Sequence, residues 1–136
     1  MKSEAGAKAV IRIPRVAVDR LLGSAAEKTD PTTLAREAGE RAATETARLN
    51  PAPTPVSLEQ AHVLVGEPVY ETENAETATF LVESRVAAVG EADLKVEALM
   101  AVSVAVLCLR DRCQAPGEEV EVVSIELVAA DREGTQ

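Results

Sequence analysis

A run of twelve almost wholly apolar positions, Ala98–Leu109, limits what this chain of 136 residues can fold into. The run contains one polar residue, Ser103, and Arg110 and Asp111 follow it directly. It is shorter than the roughly 20 residues that a membrane-spanning helix needs. A helix that lies on a sheet needs one apolar stripe, whereas this segment is apolar on nearly every side. The excess predicts that the helix also contacts a second protein surface, and therefore a homo-oligomer.

Composition places the chain among globular proteins and narrows its partners. The hydrophobic fraction is 46% and the formal net charge is -9, and the length fits one domain. A strongly acidic chain lacks the basic surface that nucleic-acid binding requires. Tyr70 and Phe80 are the only aromatic residues, so no platform for base stacking is expected. A local basic pocket for a small anion stays compatible with the net charge.

The termini and cysteines predict a cytoplasmic protein without metal or cofactor. The first residues, MKSEAGAKAV, lack the apolar core of a secretion signal, and no membrane association is expected. Cys108 and Cys113 are five residues apart on a predicted helix and point about 140° apart, which disfavours a disulfide. Reduced thiols are typical of the cytoplasm. One histidine and two cysteines without ligand spacing do not predict a metal site.

Periodicity and capping residues predict an α+β fold in one domain. Strands are expected at 7–13, 58–72, 77–89 and 120–130, and helices at 15–22, 31–49 and 93–113. Residues 1–6 and 131–136 are expected to be flexible ends. Counting the first two helices as one unit, the order is β, α, β, β, α, β. This order predicts a ferredoxin-like fold, with a four-stranded antiparallel sheet and helices on one face.

Three details of the sequence sharpen this prediction. Asp30 and Pro31 suit the start of the second helix, because a carboxylate accepts free N–H groups there and proline lacks one. Small residues from Ala35 to Ala42, including Gly39, lie on one face of that helix, which predicts close approach to a neighbour. The strand alternation slips between Val122 and Val123, which predicts a β-bulge.

Two ungapped segments resemble a known family. KVEALMAVSVAVLCLRDRCQA, residues 95–115, resembles the central helix of the MoaC family, the cyclic pyranopterin monophosphate synthases of molybdenum cofactor biosynthesis. KTDPTTLAREAGERAATETARLNPAPTP, residues 28–55, is similar to an upstream segment of that family, and the resemblance extends to about residue 130. It implies a ferredoxin-like fold and a hexamer of dimers with active sites at the dimer interface. It also implies a lyase that rearranges a cyclised dihydro-GTP intermediate and releases pyrophosphate.

The resemblance implies five site residues, and three of them depart from the family. Asp111 and Lys28 match residues that are catalytic or phosphate-binding in the family, so they are the candidate catalytic residues. Lys95, Thr54 and Gln114 stand where the family has glutamate, histidine and lysine, and they are candidate substrate-binding residues. Threonine can donate a hydrogen bond but cannot act as a base near neutral pH. Simpler interpretations are an ion pair of Asp111 with its neighbouring arginines and solvated side chains for both lysines.

Three interpretations follow from this pattern. The favoured hypothesis is a divergent relative that keeps the fold and the self-association but lacks the standard synthase activity. It would act as a regulatory partner, or bind a pterin, a nucleotide phosphate or a smaller anion. The alternative is an active synthase that uses a different set of residues. The third is an unrelated ferredoxin-like oligomer, because many of the matched residues are small or apolar and recur in helices by chance.

Overall fold

The computed structural model describes residues 2–22, 30–50 and 56–128. Two of the candidate site residues, Lys28 and Thr54, therefore lie outside the described residues. The elements, in chain order, are β1 (Lys2–Pro14), α1 (Arg15–Leu22), α2 (Pro31–Thr44), α3 (Thr46–Leu49), β2 (Gln60–Val65), β3 (Thr77–Val89), α4 (Lys95–Cys113) and β4 (Glu121–Leu127). None of the helices within these ranges is both long and apolar enough to cross a membrane.

The four strands form one antiparallel sheet in the order β2-β3-β1-β4. This is the strand order of the ferredoxin-like plan, so the predicted α+β fold is confirmed. The two central strands, β1 and β3, pair along their whole length, from Lys2 opposite Val89 to Pro14 opposite Thr77. The prediction of a flexible end is wrong for residues 2–6, because β3 supplies hydrogen-bonding partners for their backbone.

The helices cover one face of the sheet and create the core. On β3 every second residue points to this face, and Phe80, Val82 and Val86 are completely buried there. Residues Ala98, Ala101, Val102, Ala105, Val106 and Leu109 of α4 are buried against the sheet and α2. Helix α4 therefore buries one side against the sheet and α2.

Helices α2 and α4 approach each other at Gly39. A Cβ atom at this position would lie 2.5 Å from the carbonyl oxygen of Ala101 and 3.2 Å from the Cβ of Ala105. Only glycine leaves room for this backbone contact. The predicted close neighbour of the small-residue face is thus α4.

Capping and the strand irregularity also agree with the sequence. The Asp30 carboxylate accepts hydrogen bonds from the Thr33 N–H, at 3.2 Å, and from the hydroxyl groups of Thr32 and Thr33. These bonds, that from Thr32 foremost, hold the pKa of Asp30 below its ordinary value. In β4, Val122 pairs with Ile11 and Ser124 pairs with Val10, which leaves Val123 as the extra residue of the predicted bulge.

The second helix and the second strand depart from their predicted bounds. The helix expected over 31–49 divides into α2 and α3 around Glu45. The strand expected over 58–72 begins at Gln60 and ends at Val65. Pro68 has no N–H for a ladder, and beyond it only an isolated bridge forms, between Val69 and Thr79. The prediction of a strand up to residue 72 is therefore wrong beyond Val65.

Candidate functional site

Helix α4 positions the three candidate residues that the structure describes. Lys95 is its first residue, Asp111 lies in its last turn and Gln114 follows its end. Lys95 and Asp111 are sixteen positions apart, which corresponds to about 24 Å along the helix axis. One chain therefore does not bring these two side chains together in a single site.

Lys95 lies at the exposed start of α4 and has a local partner. Its Nζ atom is 3.6 Å from Oδ1 of Asp93, and its side chain is 64% exposed. The backbone N–H of Lys95 donates to the same Asp93 oxygen at 3.1 Å. Asp93 thus accepts the N–H of the first residue of α4 and partly neutralises the lysine charge.

Asp111 is exposed in the last turn of α4, between Arg110 and Arg112. Among the described residues it forms no salt bridge, so the simple ion pair with either neighbouring arginine is not formed. A carboxylate at a helix C-terminus gains nothing from the helix dipole. Its position is accessible to a ligand or to a partner protein.

Gln114 uses its side-chain amide to shape the turn that leads into β4. The amide nitrogen donates to the carbonyl oxygens of Glu118 and, at 3.4 Å, of Ala115. Its Oε1 atom accepts from the Val120 N–H at 3.4 Å. A ligand that used this amide would have to replace these bonds.

An open groove of about 500 Å³ lies between the segments Val56–Glu59 and Val89–Ala92. It adjoins residues 51–55 in the sequence, which include Thr54, and it lies just before the start of α4. Its ionisable residues are Glu59 and Glu91. We call it the acidic groove.

Ser3 fixes the loop of Gly90 and Ala92, which forms one wall of the acidic groove. Its hydroxyl donates to the Gly90 carbonyl oxygen at 2.6 Å and accepts from the Ala92 N–H at 2.9 Å. Gly90 has a φ of 93°, a conformation that favours glycine. The sequence predicted a strand that ends at residue 89, but not that Ser3 fixes the following loop, because 87 positions separate Ser3 from Gly90.

A second open groove, of about 550 Å³, lies at the other end of β1 and β3. Its walls include the segments Pro14–Val16, Asn74–Thr77 and Gly117–Glu119. Arg15 donates to the carbonyl oxygens of Ala75 and Glu73 at 2.7 and 2.9 Å, and its guanidinium group lies 4.0 Å from the ring centroid of Tyr70. The Arg15 guanidinium group is therefore bound to the loop before β3. The groove is also lined by three glutamates, so it is acidic as well.

The cysteines are free thiols with little nucleophilic character. Burial raises the pKa of Cys113 to about 11 and also raises the pKa of Cys108. Both are protonated near neutral pH, whereas the thiolate is the nucleophile and the metal ligand. Across residues 2–22, 30–50 and 56–128, no group of three or more His, Cys, Asp or Glu residues is arranged to hold a metal ion.

The outward face of α4 carries an apolar stripe. Val96 and Leu107 are 41% and 58% exposed, and Met100 and Ser103 between them are partly exposed. These four positions follow a helical repeat and lie on one side of α4. We call them the α4 stripe. The excess apolar character seen in the sequence is thus located on the surface of the single chain.

Comparisons with known proteins agree with the fold. The family model described as "MoaC family" matches residues 1–133. A cyclic pyranopterin monophosphate synthase of Roseiflexus sp. (strain RS-1) is 34% identical over 125 residues, which cover 92% of this chain and 75% of that relative. The synthase of Heliobacterium modesticaldum is 34% identical over 127 residues, covering 93% and 76% of the two chains. That of Pelotomaculum thermopropionicum is 30% identical, covering 93% and 71%.

One solved structure shows only a weak likeness to this chain. A hydantoinase/carbamoylase family amidase from Burkholderia ambifaria overlays with a TM-score of 0.34 and 11% identity, covering 93% of this chain and 28% of the amidase. A likeness at this level carries no argument about fold or activity. The family match over residues 1–133 and the 34% identity to two of the synthases show that this chain belongs to the MoaC family.

Proposed function

We propose that this MoaC-family protein acts in molybdenum cofactor biosynthesis without the standard cyclic pyranopterin monophosphate synthase activity. In this proposal it keeps the family's packing and assembly and serves as a regulatory partner or a ligand-binding homologue. The acidic groove is the observation that carries the proposal. The relatives that share up to about a third of its residues are named for the synthase reaction, which connects the chain to the pathway.

The charge of the acidic groove is unfavourable for the family's substrate. A triphosphate requires cations, because charge-assisted hydrogen bonds from lysine or arginine offset its negative charge. Glu59 and Glu91 line the groove instead, and the Lys2 ammonium group, 3.6 Å from Glu59, already pairs with that carboxylate. Lys95 is likewise engaged with Asp93. Within a single chain, a polyphosphate in this groove would therefore meet two carboxylates and no uncommitted cation among the described residues that line it.

The departures in sequence point the same way. Thr54 stands where the resemblance places a histidine, and Gln114 stands where it places a lysine. Neither replacement can carry the proton or the charge of the family residue. Loss of a general base or of a charge-stabilising group typically lowers a rate by about 100-fold or more for each group.

The packing residues, by contrast, support retention of the fold. Gly39, Ala101 and Ala105, which match the family segments, form the close contact between α2 and α4. This contact lies inside the core and is independent of the exposed ends of α4. The chain therefore keeps the scaffold on which the family's chemistry is built.

A product assay tests the proposal. The purified protein is incubated with the cyclic dihydro-GTP intermediate, beside the Roseiflexus synthase as the active control, and cyclic pyranopterin monophosphate is measured. We expect no product above background from a folded sample whose circular dichroism and unfolding transition are normal. Product at a rate comparable to the control would overturn the proposal.

The alternative is an active synthase with a changed set of residues. The exposure of Asp111, and its lack of a salt bridge with any described residue, favour this alternative. If product forms, Asp111→Asn should lower the rate by about 100-fold if Asp111 acts as acid or base. Asp19→Asn, at an exposed position on α1, is the matched control and should leave the rate unchanged.

Self-association through the α4 stripe is part of the proposal. A site that used both Lys95 and Asp111 would need two chains, since one chain separates them by about 24 Å, and the resemblance implies sites at a dimer interface. Leu107→Glu should shift the protein toward monomer in sedimentation velocity experiments, because it buries a charge in an apolar contact. Leu64→Glu is the matched control, since Leu64 is 65% exposed and lies on β2 rather than on α4. Equal behaviour of both variants would exclude the α4 stripe as the interface.

A regulatory role predicts mixed assemblies. Native mass spectrometry of this protein mixed with the active synthase should show oligomers that contain both chains. The Leu107→Glu variant should not form them, whereas Leu64→Glu should. Absence of mixed oligomers, together with no binding of pterins or nucleotides, would leave the proposed role without support.

A further inference from the structure

No further inference is drawn: the strongest candidate, the outer edge of β4 with its partly exposed apolar side chains from Val123 to Val128, carries nothing because no contact, charge pattern or chain segment among the described residues identifies what would cover it.

Discussion

The middle and the two ends of α4 differ in what holds their residues in place. In the middle, Ala101 and Ala105 are buried against Gly39, and a Cβ atom added at Gly39 would collide with the Ala101 carbonyl oxygen. At the ends, Lys95 and Asp111 are both exposed. Lys95 forms a surface salt bridge with Asp93, and Asp111 forms no salt bridge with a described residue. Substitutions in the middle of α4 should therefore lower the free energy of unfolding, whereas substitutions of Lys95 or Asp111 should change it little. A relative can exchange its reactive groups there while its scaffold persists.

The largest effect should come from Gly39→Ala. The added Cβ would lie 2.5 Å from the Ala101 carbonyl oxygen, so α2 and α4 must separate. Overpacking should outweigh the better helix propensity of alanine and lower the free energy of unfolding by about 2 kcal/mol. Urea denaturation measures the change, with Arg36→Ala at an exposed position of α2 as the control. A variant as stable as the wild type would show that the middle of α4 is not tightly constrained.

Asp30→Ala tests a contact that lies apart from both regions. The loss of the cap of α2 should cost about 1 kcal/mol near neutral pH. Because hydrogen bonds lower the pKa of Asp30, its stabilising contribution is complete above the unfolded pKa of about 3.9 and disappears as the pH falls through the folded pKa. The difference between wild type and variant should therefore shrink in acid. A difference that is unchanged at pH 2.5 would contradict the proposed role of the ionised carboxylate.

Ser84→Ala tests whether the start of α4 is anchored to the sheet. The Ser84 hydroxyl, which is buried on β3, donates to the Ala98 carbonyl oxygen at 2.8 Å. Its removal should cost about 1 kcal/mol or slightly less, because no polar side-chain atom is left unsatisfied. Ser124→Ala on β4, where the serine is only partly buried, is the comparison and should change the stability less. Equal losses would show that the Ser84 bond does not anchor the helix.

The smallest effects on stability are expected at the ends of α4. Lys95→Ala and Asp111→Asn should each change the free energy of unfolding by less than about 0.5 kcal/mol, because exposed ion pairs and surface residues contribute little. A loss of assembly or ligand binding in either variant, without a loss of stability, would identify that end as functional. A loss of stability above 1 kcal/mol would instead erase the difference between the ends and the middle.

Local signals in the sequence determined much of this protein. The order of helices and strands along the chain follows from the periodic segments, and the Asp30 cap, the small-residue face at Gly39 and the bulge at Val123 follow from patterns within a few residues. Each depends on short-range geometry: the helical or strand repeat, an N–H group near a carboxylate, or a slip in alternation. Such features can be recognised without knowing which segments meet.

The tertiary structure decided the rest, because those features depend on partners distant in sequence. Residues 2–6 form a strand only because β3 lies beside them, and Ser3 reaches Gly90 across 87 positions. The walls of the acidic groove come from two segments about thirty residues apart. Motif matching alone grouped Lys95 with Asp111, but the rigid rise of α4 separates them within one chain. Which side chains share a site is set by the path of the chain in space, and no local pattern encodes that path.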